Sequence, residues 1–371
     1  MDLWSIALEE RAKADEERRI RLEQQGKQDG DTYMFFMGSS QCGKSTMLLR
    51  FLERGESPKS TIGIEYTFGR RSRGANMAKD ITHLWELGGG TLLAKLIEIP
   101  ITAECLKGLV VFIVLDLSKP EELWNTLEVL LKQLKQHLDN IVTQLKVKSP
   151  EAVAKLRQAA WKKFGDDHPD KDLLNPLLVP LVIFGGKYDL FQDFDPEKKK
   201  IICKTLRFIA HTNGAYLQFV STKSDTLFNK TKQLLSHFAF GTPASRSMSM
   251  DHTKPLIVPA GADALGQIGV PPIPAGDISK ISAKNPYDLW KQSYCGFFPP
   301  LKTSNKSHIP DDPCKDVKYQ EPAIDSMRAQ KDEELEKYRK QCERKARELA
   351  RQRAQSMAGS STTSRDKDQQ K

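Results

Sequence analysis

The sequence predicts an α/β fold with a central, mostly parallel six-stranded sheet, helices on both faces, and helical extensions at the N- and C-termini. Three observations lead to this prediction. Short apolar runs alternate with helical stretches between residues 31 and 241, a phosphate-loop motif joins the first run to a helix, and the composition changes outside that range. The length of 371 residues is enough for one large domain with extensions.

Residues 1–30 carry apolar side chains at helical spacing among Glu and Arg, which predicts an N-terminal amphipathic helix. Six apolar runs in residues 31–241 then predict strands at 33–37, 64–70, 83–87, 109–115, 181–184 and 215–220. The helix after Pro120 has a leucine-rich stripe over about six turns. A second helical stretch follows it at 151–164. Residues of about 146–178 are therefore predicted to be a helical insertion in the domain.

Beyond residue 241 the composition changes, because 12 of the 20 prolines lie between Pro243 and Pro322. Residues 242–324 are predicted to be a Pro-rich strap with a short helix near 286–297. Residues 325–356 contain Glu–Lys and Glu–Arg pairs four residues apart and predict a charged C-terminal helix. Its thin apolar stripe fits either a solvated single helix or one that needs a partner. Residues 357–371 are predicted to be a disordered tail.

The large apolar residues outside residues 31–241 have two interpretations. They are either anchors of a protein interface, which is the interpretation we favour, or satellite residues that pack back on the domain. The first interpretation predicts that a fragment of residues 31–241 folds but binds its partner poorly. The residues in question are Trp4, Leu8, Leu289, Trp290, Tyr294 and Phe297.

Composition excludes few functions. The chain has 57 Lys and Arg against 48 Asp and Glu, a formal net charge of +9, and this small surplus does not require nucleic acid as a partner. The longest apolar run, residues 109–115, is far shorter than the roughly 20 residues of a membrane-spanning helix, so we predict no direct membrane insertion. The six cysteines and seven histidines show no disulfide or metal-ligand spacing, so we predict no zinc and no haem.

A phosphate-loop motif, GxxxxGK[ST], occupies residues 38–45 between the first apolar run and a helix. Gly38 and Gly43 let the backbone curl so that its amides face a phosphate group. Lys44 would neutralise phosphate oxygens, and the hydroxyl of Ser45 would bind magnesium. Thr46, in the first turn of the helix, completes the predicted phosphate side of a nucleotide site.

Two further motifs follow in the order of a Ras-like GTPase. Residues 60–66 (STIGIEY) resemble a Rab-type first switch, in which Thr61 would contact magnesium and the γ-phosphate. Residues 85–90 (WELGGG) resemble the second switch, WDTAGQ, with two changes. Glu86 replaces the aspartate that holds the water shell of magnesium, and Gly90 replaces the glutamine that orients the attacking water. We therefore expect weakened magnesium binding and slow or absent hydrolysis.

The guanine-reading motif NKxD is represented by GKYD at residues 186–189, where Lys187 and Asp189 remain and glycine replaces asparagine. Residues 221–223 (STK) resemble the SAK element that supports the base, with Ser221 and Lys223 as candidates. These loops predict a Ras-like P-loop domain that binds GTP or GDP with magnesium. The alternative is that they survive as packing and turn structure in a domain without a ligand.

Six segments together resemble the dynein light intermediate chain family, in its dynein 2 branch: residues 38–45, 85–90, 116–120, 186–194, 266–272 and 288–291. The resemblance covers about residues 3–332. It implies a non-catalytic subunit of the cytoplasmic dynein 2 motor that docks on the heavy-chain tail, beside the other intermediate and light chains. It also implies an indirect link to intraflagellar transport trains in retrograde transport and cilium assembly. The implied locations are cytoplasm, cytoskeleton and cilium, including basal body and axoneme.

A second class of function stays open, namely an active Rab-like small GTPase switch with extensions that regulates ciliary or vesicle traffic. The intact Lys44, Ser45 and Thr61 favour the switch, whereas Gly90 and Gly186 favour a non-enzymatic scaffold subunit. We favour the scaffold subunit.

Overall fold

The computed structural model describes residues 31–71, 80–165, 168–243, 245, 247–272, 285–300 and 321–362. The helix predicted for residues 1–30 and the tail residues 363–371 lie outside the described residues, and so do Trp4 and Leu8. The chain forms two units, Met1–Thr303 and Ser304–Lys371, and each is described by itself.

The described part of the first unit contains one sheet of seven strands, in the order β2-β3-β1-β4-β5-β6-β7. Strands β1, β3, β4, β5 and β6 pair in parallel, whereas β2 and β7 are antiparallel to their neighbours. The α/β class is confirmed, and the six predicted strands overlap β1 to β6. The strands are β1 (Thr32–Gly38), β2 (Ile64–Arg71), β3 (Asp80–Leu87), β4 (Leu109–Asp116), β5 (Leu181–Gly186), β6 (Ala215–Phe219) and β7 (Ile257–Val258).

The seventh strand corrects the predicted number of six and comes from the Pro-rich strap. In the antiparallel pair, Leu217 lies opposite Val258 and Gln218 opposite Ile257. The amide of Phe219 also donates a hydrogen bond of 2.9 Å to the carbonyl of Leu256. A two-residue strand between prolines is too short to show the alternation by which strands are recognised in a sequence.

Helices cover both faces of the sheet. The longest described helix of the first unit, α2 (Pro120–Lys148), begins with a proline. It has Glu121 and Glu122 in its first turn and Lys146 and Lys148 in its last, so its charges complement the helix dipole. The following helix, α3, also begins with a proline, in the predicted insertion. The described helices are α1 (Lys44–Phe51), α2 (Pro120–Lys148), α3 (Pro150–Trp161), α4 (Tyr188–Phe191), α5 (Pro196–Thr212), α6 (Asp225–Phe240), α7 (Leu265–Ile268), α8 (Pro286–Phe297) and α9 (Pro322–Thr362).

The core has one layer on each face of the sheet. Along β1, Met34 and Phe36 point to the layer covered by α1 and α6, and Phe35 and Met37 point to the layer covered by α2, α5 and α8. This is the two-residue alternation of a strand. Because both faces are covered, β1 and β4 appear in the sequence as continuous apolar runs.

The strap packs back on the domain through α8. Trp290 is 4% exposed and stacks on Phe208 of α5, with ring centroids 4.7 Å apart. Tyr294 is 2% exposed and its hydroxyl donates a 2.7 Å hydrogen bond to the carbonyl of Pro120. The prediction that these two residues are interface anchors is therefore wrong. Leu289 is half-buried, and Phe297 alone of the four α8 candidates is exposed.

Other strap residues are also buried against the domain, and three of them, Leu256, Val258 and Ile268, belong to the same core layer. This contradicts the expectation that the domain buries its own core by residue 241. Four strap side chains are 0–3% exposed, since the segment lies along the edge of β6 and over α5. A fragment that ends at residue 241 would uncover the surface beneath them. The four residues are Leu256, Ile257, Val258 and Ile268.

The second unit is described through α9 alone, which begins three residues before the predicted helix and extends to Thr362, into the predicted disordered tail. Ion pairs four residues apart, such as Lys337 with Glu333 and Lys340 with Glu336, stabilise it along its length. Leu335 and Tyr338 of its apolar stripe are two-thirds exposed. Among the described residues, no helix is both long and apolar enough to cross a membrane.

Candidate functional site

The phosphate loop follows β1 and leads into α1. A side-chain carbon at Gly38 would lie 1.8 Å from the carbonyl oxygen of Val114, so the loop can pack against β4 only with glycine there. Gly43 has a φ of +92°, and a side-chain carbon there would meet nothing within 4 Å. The first turn of α1 contains no acidic residue. The positive end of this helix therefore meets no acidic residue of its own first turn, which favours phosphate binding.

Lys44 lies across this loop. Its side chain is nearly buried, and its ammonium group donates a 3.0 Å hydrogen bond to the carbonyl of Ser39. The sulfur of Cys42 lies 3.8 Å from the same nitrogen, and burial raises the pKa of this thiol although Lys44 opposes the shift. Thr46 follows half-buried in the first turn of α1. The lysine charge is thus held at the place where phosphate oxygens would lie.

Oxygen atoms of the two predicted switches converge on Ser45. The Ser45 hydroxyl donates a 2.8 Å hydrogen bond to Oε1 of Glu86 and lies 3.4 Å from Oγ1 of Thr61. Thr61 in turn donates to Oε2 of Glu65 at 3.2 Å. Burial raises the pKa of Glu86, and the Ser45 hydrogen bond and the Lys44 charge oppose that shift. Hydroxyl oxygens such as those of Ser45 and Thr61 fit magnesium, whereas Glu86 already occupies the Ser45 hydroxyl.

The loop that carries Thr61 rests directly on the second switch. The amide of Gly88 donates a 2.7 Å hydrogen bond to the carbonyl of Gly63. A side-chain carbon at Gly88 would lie only 2.1 Å from the carbonyl oxygen of Thr61. Sequence analysis missed Gly88 because its importance depends on this long-range contact. Gly90, with a φ of +61°, faces the phosphate loop, where a side-chain carbon would lie 3.4 Å from the amide nitrogen of Ser40.

The predicted base-reading residues form a connected group. Oδ1 of Asp189 in α4 accepts a 2.8 Å hydrogen bond from the Ser221 hydroxyl, and its Oδ2 lies 3.0 Å from the ammonium of Lys223. Burial acts to raise the pKa of Asp189, but the hydrogen bonds from Lys223 and Ser221 outweigh it and hold the pKa below the ordinary value. The carboxylate is therefore ionised and oriented, as an acceptor for guanine must be.

Lys187 adopts a left-handed conformation with a φ of +58°, and its ammonium lies 2.6 Å from Oδ2 of Asp116. Asp116 ends β4, its side chain is buried, and its amide donates a 3.4 Å hydrogen bond to the hydroxyl of Ser39. Sequence analysis did not select Asp116 as a site residue. A side-chain carbon at Gly186 would lie 3.1 Å from the carbonyl oxygen of Cys42, so the glycine permits close approach of the phosphate loop.

The ten predicted site residues thus lie at one edge of the sheet, in two groups. Gly38, Gly43, Lys44, Ser45, Thr46 and Thr61 form the phosphate side, and Lys187, Asp189, Ser221 and Lys223 form the base side. The groups connect through Asp116 and Gly186. This edge is the carboxyl end of β1, β4, β5 and β6, the usual position for ligands on open α/β sheets.

A family model for the dynein light intermediate chain matches residues 2–176. Cytoplasmic dynein 2 light intermediate chain 1 of Bos taurus is 48% identical over 340 residues, which cover 91% of this chain and 95% of the relative. The chain belongs to the dynein light intermediate chain family. The Homo sapiens protein of the same name is 47% identical over 340 residues with the same coverage of both chains. The resemblance predicted from six short segments is therefore confirmed.

This light intermediate chain also has more distant relatives. Cytoplasmic dynein 1 light intermediate chain 1 of Homo sapiens is 22% identical over 304 residues, which cover 72% of this chain and 55% of that protein. The crystal structure of a dynein light intermediate chain's conserved domain superposes with a TM-score of 0.49 at 13% identity, covering 76% of this chain and 94% of that one.

Proposed function

We propose that this light intermediate chain is a non-catalytic subunit of cytoplasmic dynein 2. The observation that carries the proposal is the 48% identity with a dynein 2 relative over 95% of its length, against 22% and 55% for the dynein 1 relative. Its direct partner is the dynein 2 heavy chain, on whose tail it docks beside the intermediate and light chains. Intraflagellar transport trains are indirect partners, in cytoplasm and cilium.

Affinity purification of the full-length protein from ciliated cells tests this assignment. Quantitative mass spectrometry should recover dynein 2 heavy chain in near-equal amount and dynein 1 heavy chain only at background. Loss of the protein should slow retrograde movement of transport trains and leave anterograde movement unchanged. Recovery of dynein 1 heavy chain in equal or greater amount would contradict the assignment to dynein 2.

The phosphate loop has a role of its own in this proposal, as a site for a bound guanine nucleotide that stabilises the fold. Three features support it: a first turn of α1 without acidic residues, the buried Lys44 and the oriented Asp189. Ser45 and Thr61 would hold magnesium with the nucleotide. Magnesium supplies positive charge between phosphate oxygens, and Glu86 on the Ser45 hydroxyl restricts the room for it.

Nucleotide released from denatured protein, identified by chromatography, tests the site directly. GDP at 100 times its dissociation constant should stabilise nucleotide-stripped protein by about 2.7 kcal/mol. Lys44→Ala should abolish this shift, whereas Lys230→Ala, at an exposed residue of α6, should not. Stripped protein that shows no thermal shift with GDP or GTP would remove the nucleotide from the proposal and leave the subunit assignment intact.

The second candidate function, an active Rab-like switch, is favoured by one observation: Lys44, Ser45 and Thr61 all lie at the phosphate loop. Lys44 donates to the carbonyl of Ser39, and the Ser45 hydroxyl lies 3.4 Å from that of Thr61. Gly90 argues against it because a glycine has no side chain to orient the attacking water. Single-turnover measurements with GTP separate the two functions. Hydrolysis no faster than that of a Ras-like protein without its glutamine supports the subunit, and fast hydrolysis supports the switch.

A further inference from the structure

The strand β2 is an open edge of the sheet. Among the described residues it pairs with β3 and with no other strand. An edge strand presents a row of unpaired amide and carbonyl groups, which is a template for pairing with another chain. Prolines, bulges and short length usually block such pairing, but β2 has eight residues, no proline and an uninterrupted register with β3. Its charged side chains are the remaining barrier, and their arrangement decides which strand can pair there.

The pairing with β3 shows which residues of β2 point their backbone groups outwards. The amide of Gly88 donates to the carbonyl of Gly63 at 2.7 Å, in the register that β2 and β3 then continue. Residues opposite each other in antiparallel strands alternate between hydrogen-bonded and non-bonded pairs. The odd-numbered residues of β2 therefore bond to β3, and the amides and carbonyls of Tyr66, Phe68 and Arg70 point to the open edge.

Aromatic side chains make one face of this edge apolar. Tyr66 is 46% exposed and Phe68 is 48% exposed. Tyr66 is nevertheless held in place, because its ring centroid lies 4.8 Å from that of Trp85 and its hydroxyl lies 2.9 Å from Nδ1 of His83. An exposed aromatic side chain that is already fixed loses little freedom on binding, which favours its use in an interface.

The other face of β2 carries opposite charges at its two ends. Glu65 and Arg71 are both exposed and lie on this face, about 20 Å apart along the strand, too far to pair within one chain. The guanidinium of Arg71 lies over the ring of Phe240 at 5.9 Å. Oε2 of Glu65 accepts the hydrogen bond from Thr61, so Oε1 can receive an arginine from outside. An antiparallel strand with the same sequence would supply that arginine.

We propose that two copies of this chain form a dimer by pairing their β2 strands antiparallel, about a two-fold axis at Phe68. In this register Glu65 faces Arg71 of the second copy, which forms an ion pair on one face. Tyr66 faces Arg70 of the second copy in a cation–π contact, and Phe68 faces its own equivalent. The outward backbone groups of these last three residues form the ladder, and the two sheets become one continuous sheet.

Self-complementarity distinguishes a second copy from other partners. A two-fold interface requires one patch to carry both halves of every contact, and β2 does so for its charges and its aromatic rings. An acidic strand from another protein would satisfy Arg70 and Arg71 but place a like charge opposite Glu65. A basic strand would oppose both arginines. The dimer does not rest on the proposed motor function.

Analytical ultracentrifugation of the full-length protein tests the dimer. Wild-type protein should dimerise reversibly. Glu65→Arg and Arg71→Glu should each raise the dissociation constant at least about fivefold, because the two-fold axis creates two like-charge pairs. The double variant should restore the wild-type constant, since the exchanged charges again face each other between the copies. Lys198→Glu, a charge reversal at an exposed residue of α5, should leave the constant unchanged.

A covalent cross-link provides a second readout of the register. Opposed residues of a hydrogen-bonded pair have Cα atoms about 5.5 Å apart, within the range of a disulfide. Phe68→Cys should therefore form a covalent dimer under mild oxidation, in a background where the exposed Cys342 is replaced by serine. Arg71→Cys in the same background should not, because its equivalent lies far along the second strand.

Three results would overturn the proposal. One is wild-type protein that stays monomeric at about 100 μM, a concentration that populates any dimer with a micromolar dissociation constant. That result would leave the edge to a different protein. Another is a dimer that the single variants do not weaken or the double variant does not restore, which would place the contact between copies elsewhere. The last is the absence of a covalent dimer in Phe68→Cys.

Discussion

Replacement of Trp290 by alanine tests whether the strap is part of the core. The side chain is 4% exposed and stacks on Phe208 with ring planes 12° apart. Truncation of a buried tryptophan to alanine costs about 3–5 kcal/mol, because apolar contacts are lost and a cavity remains. The stacked pair accounts for about 0.5–1.5 kcal/mol of such a loss. Since domains are stable by only about 5–15 kcal/mol, Trp290→Ala should be severely destabilised.

Phe297→Ala provides the matched control, because Phe297 lies on the same helix, is also aromatic and is 37% exposed. We expect a loss below about 1 kcal/mol for this variant. Both variants are compared with wild-type protein by equilibrium denaturation in guanidinium chloride, followed by circular dichroism. A loss of stability for Trp290→Ala as small as that for Phe297→Ala would refute the reasoning, because it would mean that α8 does not pack on the domain. A large loss for Phe297→Ala alone would reverse the assignment of the buried face.

Three further predictions concern the loops around the sheet. Gly88→Ala should cost about 1–3 kcal/mol and expose the loop of Thr61 to protease, because the added carbon meets the Thr61 carbonyl. Asp263→Asn should cost about 3–5 kcal/mol in denaturation experiments, because it leaves the buried Arg207 charge without its partner. Burial lowers the pKa of Lys163, so the unfolded chain binds that proton more tightly. The unfolding free energy should therefore rise with pH from the lowered pKa up to the ordinary value of 10.5, and Lys163→Met should lose that rise.

Each of these predictions has a control in the same region. Gly55→Ala should change stability by less than about 0.5 kcal/mol, because a side-chain carbon there meets nothing. An effect equal to that of Gly88→Ala would show that the Thr61 loop does not rest on Gly88. The double variant Arg207→Met with Asp263→Leu should be more stable than Asp263→Asn. Lys162→Met, at an exposed neighbour of Lys163, should keep the alkaline rise.

The strands β1, β4 and β5 were well predicted because they are buried on both faces of the sheet. Runs such as residues 109–115 and 181–184 are continuous in apolar residues and end at glycines, prolines or charged residues, so local pattern alone locates them. The α8 helix was also predicted at its observed bounds, since Pro286 can begin a helix. The surface against which α8 packs was not predictable. Periodicity shows that Trp290 and Tyr294 share a face, but not whether that face meets another protein or α5.

In the candidate site, too, the local motifs were predicted and the long-range contacts were not. The phosphate loop and the base-reading loops were found because each is a short contiguous motif with a known order along the chain. Gly88 and Asp116 were missed, since each acts through contacts between distant segments. No spacing rule links Asp116, at the end of a strand, to a lysine 71 residues later. Contacts of this kind become visible only when the sheet brings the ends of its strands together.

The return of the strap to the domain has a consequence for synthesis on the ribosome. The α6 helix ends at Phe240, but the last buried residue of the described strap is Phe298, 58 residues later (298 − 240). At about 5–20 residues per second, these take roughly 3–12 s to translate. During that interval the nascent chain exposes the edge of β6 and the apolar side of α5, surfaces that general chaperones recognise. The proposed heavy-chain partner would therefore meet a finished domain only after translation has passed this point.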